Sequence, residues 1–552
     1  MSVEYGSEAV MRGAGMRTRL VSMALLGVFG IIAARGAVVA TSYEGERGGV
    51  STAFEAPVRR ADIVDRHGEL LATSVTAYSL FADPRAMMDG DLVADTLATV
   101  LPGLDLDKIK RRLADRERAF VWIERDLTPR QRQAVFDLGL EGLGFREETR
   151  RAYPRGTLAG HILGYAGDDG QGLGGIEYAM DDELAAGGEP LALTIDSNVQ
   201  FSLEAELAAA VGEYEAASGA GIIMAAGSGE VLGMASWPPL DPNRATKLDR
   251  DDPSLLNRAS GAVYELGSIF KPLTIAGAID TGAVRPSDMF DVREPLEIRG
   301  LTISDTHPIA GRADSATIIA ESSNIGTVKV AWKMGSRRQQ ELFSSLGLFR
   351  RAPVELAGSA APILPGQFDD LTSATTSYGH GISVSPIAFV GAFSALANNG
   401  ERVEPTLLMK PKHKRQPRRV LSAPTAALVT AMMRQAVLAG TGSRAEVAGY
   451  RVAGKTGTAE KPIDGVYSDT ENICSFAAIF PADRPEYVVL IVLDSPKAGE
   501  NRGRTAAWNA APTAGRVIER IAAPILGVEP RFDEPVQSGL QVRSVSERRS
   551  AL

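Results

Sequence analysis

The stretch Glu265-Leu266-Gly267-Ser268-Ile269-Phe270-Lys271-Pro272 places a serine three residues before a lysine. On a helix, positions i and i+3 are neighbours, so the two side chains are expected to touch. Gly267 permits a tight turn into that helix, and the apolar run from Ile269 to Ile279 keeps helical spacing until Thr281-Gly282 ends it. Ser268 is therefore expected in a first helical turn, where the partial positive charge of a helix N-terminus favours a developing alkoxide. A lysine stripped of water gives up its proton more readily and can serve as a base. Serine and lysine are common residues, however, and the same spacing also describes an ordinary helix cap.

Two further motifs decide between these readings. Ser322-Ser323-Asn324 follows in a segment expected to be helical, and Lys455-Thr456-Gly457-Thr458 lies on an expected strand. The order S-x-x-K, S-x-N, K-T-G resembles the signature of the penicillin-interacting serine acyltransferases. Attack on an amide carbonyl needs a nucleophile, a base, a proton donor for the departing amine and a cradle for the oxyanion. By this resemblance Ser268 attacks, Lys271 takes its proton, and Ser322 with Lys455 behind it returns a proton to the leaving D-alanine nitrogen. Asn324 offers an amide to the substrate backbone or to the Lys271 ammonium. Lys455, Thr456 and Thr458 present charge and hydroxyls to a terminal carboxylate, and Gly457 lets the strand approach the ligand closely. The backbone N–H groups of Ser268 and Thr458 form the oxyanion hole.

The 552 residues, 44 % hydrophobic and 23 % charged, suffice for two or three cored domains. A net charge of −9 gives no global electrostatic case for nucleic acid. The one basic run, 410–419, is broken by prolines, carries no aromatic residue and is read as a solvated loop. Cys474 is the single cysteine, so no intrachain disulfide is possible, and its apolar strand context marks it as a buried small hydrophobe. The five histidines have no metal-ligand spacing, and neither a metal nor another cofactor is expected.

Residues 1–19 are polar and bring Arg12, Arg17 and Arg19 to the edge of an apolar run, the pattern of a cytoplasmic flank. Residues 20–40 would reach ~31 Å as a helix, enough to span a bilayer, with Arg35 placed to snorkel. A cleaved signal peptide ending near Val38-Val39-Ala40 is the alternative. Residues 41–57 read as a linker, 58–189 as a non-catalytic pedestal, 190–530 as the catalytic domain and 531–552 as a disordered tail. Within the pedestal, Arg60 to Ala72 reads as two strands about a turn at His67-Gly68, and 91–140 as a helical, charge-rich middle. The catalytic domain opens with a strand at Leu191 to Asp196, a helix from about Val199 to Ala217 and a hairpin of 221–225 with 230–235. Strands at 451–455, 473–480 and 487–494 then follow through short links, which suits an antiparallel sheet in an α+β domain flanked by helices.

Along nearly its whole length the chain resembles a class B penicillin-binding protein of the division-specific, FtsI type. Arg60 to Gly68, Arg151 to Gly156 and Gly174 to Glu177 resemble the pedestal motifs, and Gly379-His380-Gly381 with Ser385-Pro386 resembles a segment of the catalytic domain. Gly440-Thr441-Gly442 and Ala510-Ala511-Pro512 also fit, while Ala61, His67, Leu266 and Ser385 depart from the usual residues. The resemblance implies an inner-membrane, single-pass peptidoglycan D,D-transpeptidase, with stem peptides as substrates and β-lactams as covalent ligands. It also implies a periplasmic catalytic domain and, for want of a glycan-polymerising domain before the pedestal, an FtsW-type polymerase as divisome partner. No E-x-x-L-N segment lies between Asn324 and Lys455, which argues against a β-lactamase. An elongation-specific transpeptidase, a D,D-carboxypeptidase and a divisome scaffold remain as alternatives.

Overall fold

The structure, a computed structural model, describes residues 59–410, 416–463, 465–499 and 503–532, together with four isolated helical positions near the N-terminus. Apart from those four positions, the expected span 20–40 lies outside the described residues, as do the linker 41–57, the middle of the basic run and all but the first two residues of the expected tail. Among the described residues no helix is long and apolar enough to cross a membrane.

The catalytic domain is built on a five-stranded antiparallel sheet. In spatial order its strands are Ala453–Ile463, Val466–Phe480, Tyr487–Asp494, Ser218–Ala225 and Val231–Trp237. Tyr487–Asp494 shows why the sheet is central. Val488, Leu490 and Val492 face one apolar cluster and Val489, Ile491 and Leu493 another, so the period of two buries both faces. One face is covered by helices Lys271–Asp280, Pro386–Ala397 and Ala423–Ala439, the other by Ser197–Glu213 and Ala510–Ile521. The expected antiparallel α+β domain is what the chain forms. Cys474 is buried in the second cluster, as its context implies.

Several boundaries differ from the sequence expectation for local reasons. The strand expected over Leu191 to Asp196 is only Leu191–Ala192, because Asp196 accepts from the N–H groups of Asn198 and Val199 and so begins the next helix. The helical middle of the pedestal contains a strand, Val121–Leu127, between the helices Leu106–Leu113 and Pro129–Asp137. Leu70–Ala82 pairs with that strand on one side and with Leu143–Ala152 on the other. At the edge of the basic run, Arg418–Arg419 forms a short ladder with Glu401–Arg402 instead of a free loop.

The pedestal motifs converge on one buried carboxylate. Glu177 is fully buried; Arg60 Nε donates to its Oε2 at 3.0 Å and Arg151 Nε to its Oε1 at 2.6 Å. Tyr153 Oη donates to Oε1 at 3.3 Å, and Arg60 also reaches Asp181 at 2.6 Å. These charges pair with one another inside the pedestal. The base of the pedestal is continuous with the catalytic domain. Ile63–Val64 runs parallel to Leu191–Ala192, Arg66 N–H donates to Ile195 C=O, and His67 Nε2 lies 2.9 Å from Asp196 Oδ2. Ala61, Ile63, Leu71 and Ile176 belong to the main catalytic-domain core, whereas Leu80, Leu97, Ile109, Val121 and Val135 form a separate one.

Removing one member of a buried ion network strands the others without solvent. Glu177→Ala is therefore expected to lower unfolding stability by about 3–5 kcal/mol, read as a shift of the urea midpoint, whereas substitution of exposed Glu117 should stay within ~0.5 kcal/mol.

Candidate active site

Ser268 lies in a short 3-10 turn, Gly267–Phe270, that leads into the helix Lys271–Asp280. Gly267 has φ +62°, so the chain enters the turn through a conformation that an L side chain resists. The turn packs against the K-T-G strand. A Cβ on Gly457 would lie 2.3 Å from Leu266 O and 2.4 Å from Ser475 Oγ, and Ser475 Oγ donates to the same Leu266 carbonyl at 2.9 Å. Gly457 is thus required by the contact between strand and serine turn. The expected reason, close approach to a ligand, is not the one the packing shows.

Lys271 and Lys455 are both fully buried and meet at one hydroxyl. Lys271 Nζ donates to Ser322 O at 2.5 Å and to Ser322 Oγ at 3.1 Å, and Lys455 Nζ donates to Ser322 Oγ at 2.9 Å. The contact expected within S-x-x-K is therefore replaced, in the lysine's hydrogen bonding, by contacts to the second motif. Burial holds the Lys271 amine well below the usual lysine range; the nearby Lys455 charge acts in the same direction and Asp305 opposes it. Burial pushes Lys455 down to about 7.

Ser322 is not inside a helix. It sits at φ +61° between the helices Ser315–Ala320 and Asn324–Met334, and this left-handed step turns both its carbonyl and its hydroxyl toward Lys271. Asp305 fixes the step. Its carboxylate accepts from Ser323 Oγ at 2.6 Å and from the N–H groups of Asn324 and Ile325 at 2.5 and 3.0 Å, which also caps the second helix. The Asn324 amide donates to Ser304 O at 2.9 Å, so it braces the Asp305 turn; the expected bond to the Lys271 ammonium is not made. Thr456 is buried, with its hydroxyl 2.8 Å from Thr441 Oγ1, while Thr458 is exposed and accepts from Ala506 N–H at 3.1 Å.

The structure thus gathers Ser268, Lys271, Ser322, Asn324, Lys455, Thr456, Gly457 and Thr458 from three distant segments. Asp305 and Ser475 escaped the sequence reading. Asp305 stands in an unremarkable Ser-Asp-Thr turn, and Ser475 lies inside an apolar strand with no spacing to mark it. Only the cross-strand register Gly457↔Ser475 reveals the second.

Residues 219–518 match the penicillin binding protein transpeptidase domain, and residues 55–186 the penicillin-binding protein dimerisation domain. The chain is 42 % identical over 504 residues to a probable peptidoglycan D,D-transpeptidase FtsI of Caulobacter vibrioides, covering 88 % of this chain and 84 % of that protein. It is 30 % identical over 499 residues to the peptidoglycan D,D-transpeptidase FtsI of Escherichia coli, covering 83 % and 82 %. Among solved structures it resembles penicillin binding protein 3 of Mycobacterium tuberculosis complexed with ampicillin, with TM-score 0.69 and 26 % identity over 87 % of this chain and 98 % of that one. With its dimerisation domain ahead of the transpeptidase domain, the chain belongs to the class B penicillin-binding proteins.

Proposed function

We propose that this chain cross-links peptidoglycan stem peptides at the division septum through an acyl-enzyme on Ser268. The observation that carries the chemistry is the Ser322 hydroxyl held between two buried amines. A neutral Lys271 spends its two N–H donors on Ser322 O and Oγ, which leaves its lone pair for the proton of Ser268. Ser322 Oγ accepts from both lysines, so its own O–H is free to donate to the departing nitrogen. Ser268 Oγ attacks the penultimate D-alanine carbonyl, the C–N bond breaks, and the terminal D-alanine leaves with the proton relayed through Ser322. An acceptor amine then attacks the ester, forms the cross-link and restores Ser268. In this reading Thr458, whose hydroxyl oxygen is engaged by Ala506 N–H, turns its O–H to the terminal carboxylate. Lys455 adds charge, and the N–H groups of Ser268 and Thr458 hold the oxyanion. Asn324 acts through the loop it braces, and Thr456 through its contact with Thr441.

The septal assignment is supported by Asn324 with Ile325-Gly326 in the second motif and by the FtsI names of relatives. The apolar segment 20–40 supports a single-pass inner-membrane anchor, with residues 1–19 cytoplasmic and the catalytic domain periplasmic. An FtsW-type glycan polymerase and other divisome membrane proteins complete the proposal as partners.

Fluorescent penicillin is expected to label the purified protein and to fail on Ser268→Ala; undiminished labelling of the variant would overturn the assignment of the nucleophile. Acylation needs Lys271 neutral and Lys455 charged, so it should rise with pH as the depressed Lys271 deprotonates and fall again above about 7 as Lys455 does. Lys455→Arg should lose the alkaline limb and retain more activity than Lys455→Ala, which should acylate about 100-fold more slowly. Cells whose only copy is Ser268→Ala should grow long with unfinished septa. Round, swollen cells would refute the septal role and leave the chemistry standing.

A further inference from the structure

One buried carboxylate beside the serine turn takes no part in the chemistry above. Glu265 is 7 % exposed and precedes Ser268 by three residues. Tyr467 Oη donates to its Oε1 at 3.0 Å, and His380 Nδ1 lies 3.1 Å from its Oε2. The His380 and Tyr467 rings stack on one another, centroids 4.5 Å apart and planes 30° from parallel. The loop carrying His380 also clasps the serine turn through the backbone. Gly267 N–H donates to Gly379 C=O at 3.2 Å, and a Cβ on Gly379 would lie 2.2 Å from Gly267 O. A single side chain therefore joins the serine turn, the loop after the helix Asp370–Ser377 and the strand returning from the K-T-G hairpin.

The third of these needs such a tie. From Ile473 to Phe480 the returning strand is paired on both sides, but from Val466 to Asn472 its only ladder partner among the described residues is the far end of the K-T-G strand. That pairing is interrupted by a register shift between Glu460 and Pro462. A two-stranded ribbon is marginal in water, so its position relative to the serine depends on side-chain tethers. Tyr467 to Glu265 is the tether that reaches the serine turn.

We propose that Glu265, acting through Tyr467 and His380, is a positioning residue that fixes Ser268 and its turn against the 379–381 loop and the two-stranded end of the K-T-G hairpin. This rests on the acyl-enzyme reading above. The nucleophile belongs to the turn that the His380 loop clasps, and its placement matters most when the bond to the carbonyl carbon forms. A misplacement of ~1 Å costs on the order of 100-fold in rate. Lys455 and Thr458, by contrast, pair with the part of the returning strand that is bonded on both sides, so initial capture of a carboxylate is left unchanged.

Stopped-flow labelling with fluorescent penicillin separates the pre-covalent dissociation constant from the acylation rate constant. Glu265→Ala should lower the rate constant about 20-fold with the dissociation constant within ~3-fold. Glu265→Gln, whose amide oxygen can still accept from Tyr467, should recover most of the loss. Tyr467→Phe keeps the ring stack and removes only the donor; it should cost about 5-fold, again in the rate constant. If Glu265→Ala does not fold, Tyr467→Phe decides alone. A wild-type acylation rate constant in Tyr467→Phe, or a loss confined to the dissociation constant, overturns the proposal. Failure of the wild-type protein to label would instead refute the acyl-enzyme reading itself.

Discussion

Two lysine amines with no solvent contact share the hydroxyl of Ser322, and the rest of the catalytic domain is arranged around that constraint. Burying an ammonium costs several kcal/mol unless it is paired or gives up its proton. Both amines are depressed by burial, and the Lys455 charge depresses Lys271 further. The arrangement keeps an amine unprotonated inside the fold. It is tolerable only because the surroundings are already satisfied. The Ser322 carbonyl takes one amine hydrogen, and Asp305 supplies nearby negative charge.

That constraint explains the backbone at the second motif. A hydroxyl and a carbonyl of one residue can both face the same amine only if the chain reverses there, and Ser322 does so in the left-handed region. Such a conformation costs of order 1 kcal/mol for a residue with a Cβ and persists when its neighbours over-determine it. Asp305 and the Ser323 hydroxyl, which caps the following helix at Gly326 N–H, provide that over-determination.

Much of this was legible in the sequence because it rests on local pattern. The apolar runs at 221–225 and 487–494 could only be buried strands, and the spaced Ser, Lys and Gly residues of the three motifs located the chemistry. The illegible parts depend on tertiary register. Val121–Leu127 carries Glu124, Arg125 and Asp126 and reads as a charged helix, yet it is a strand because Leu70–Ala82 offers it a ladder. The K-T-G strand continues through Glu460, Lys461 and Pro462 to Ile463 because its hairpin partner extends with it. Nor does spacing announce that Lys271 turns toward Ser322, or that Asn324 turns toward Ser304.

The separate core of the upper pedestal has a bearing on how such a chain can change. Arg60, Arg151 and Glu177 fix the path of the backbone at the base, where the residues share the catalytic core. The part from Leu80 to Val135 instead packs on itself, around Leu80, Leu97, Ile109 and Val121. Lengthening a surface connection there adds only about 0.6 kcal/mol of closure entropy per doubling, and the added residues meet no side chain of the acylation centre. This region can therefore gain, lose or exchange elements while the geometry around Ser322 stays the same. The fold divides the molecule into a part whose shape is tied to the buried amines and a part whose shape is not.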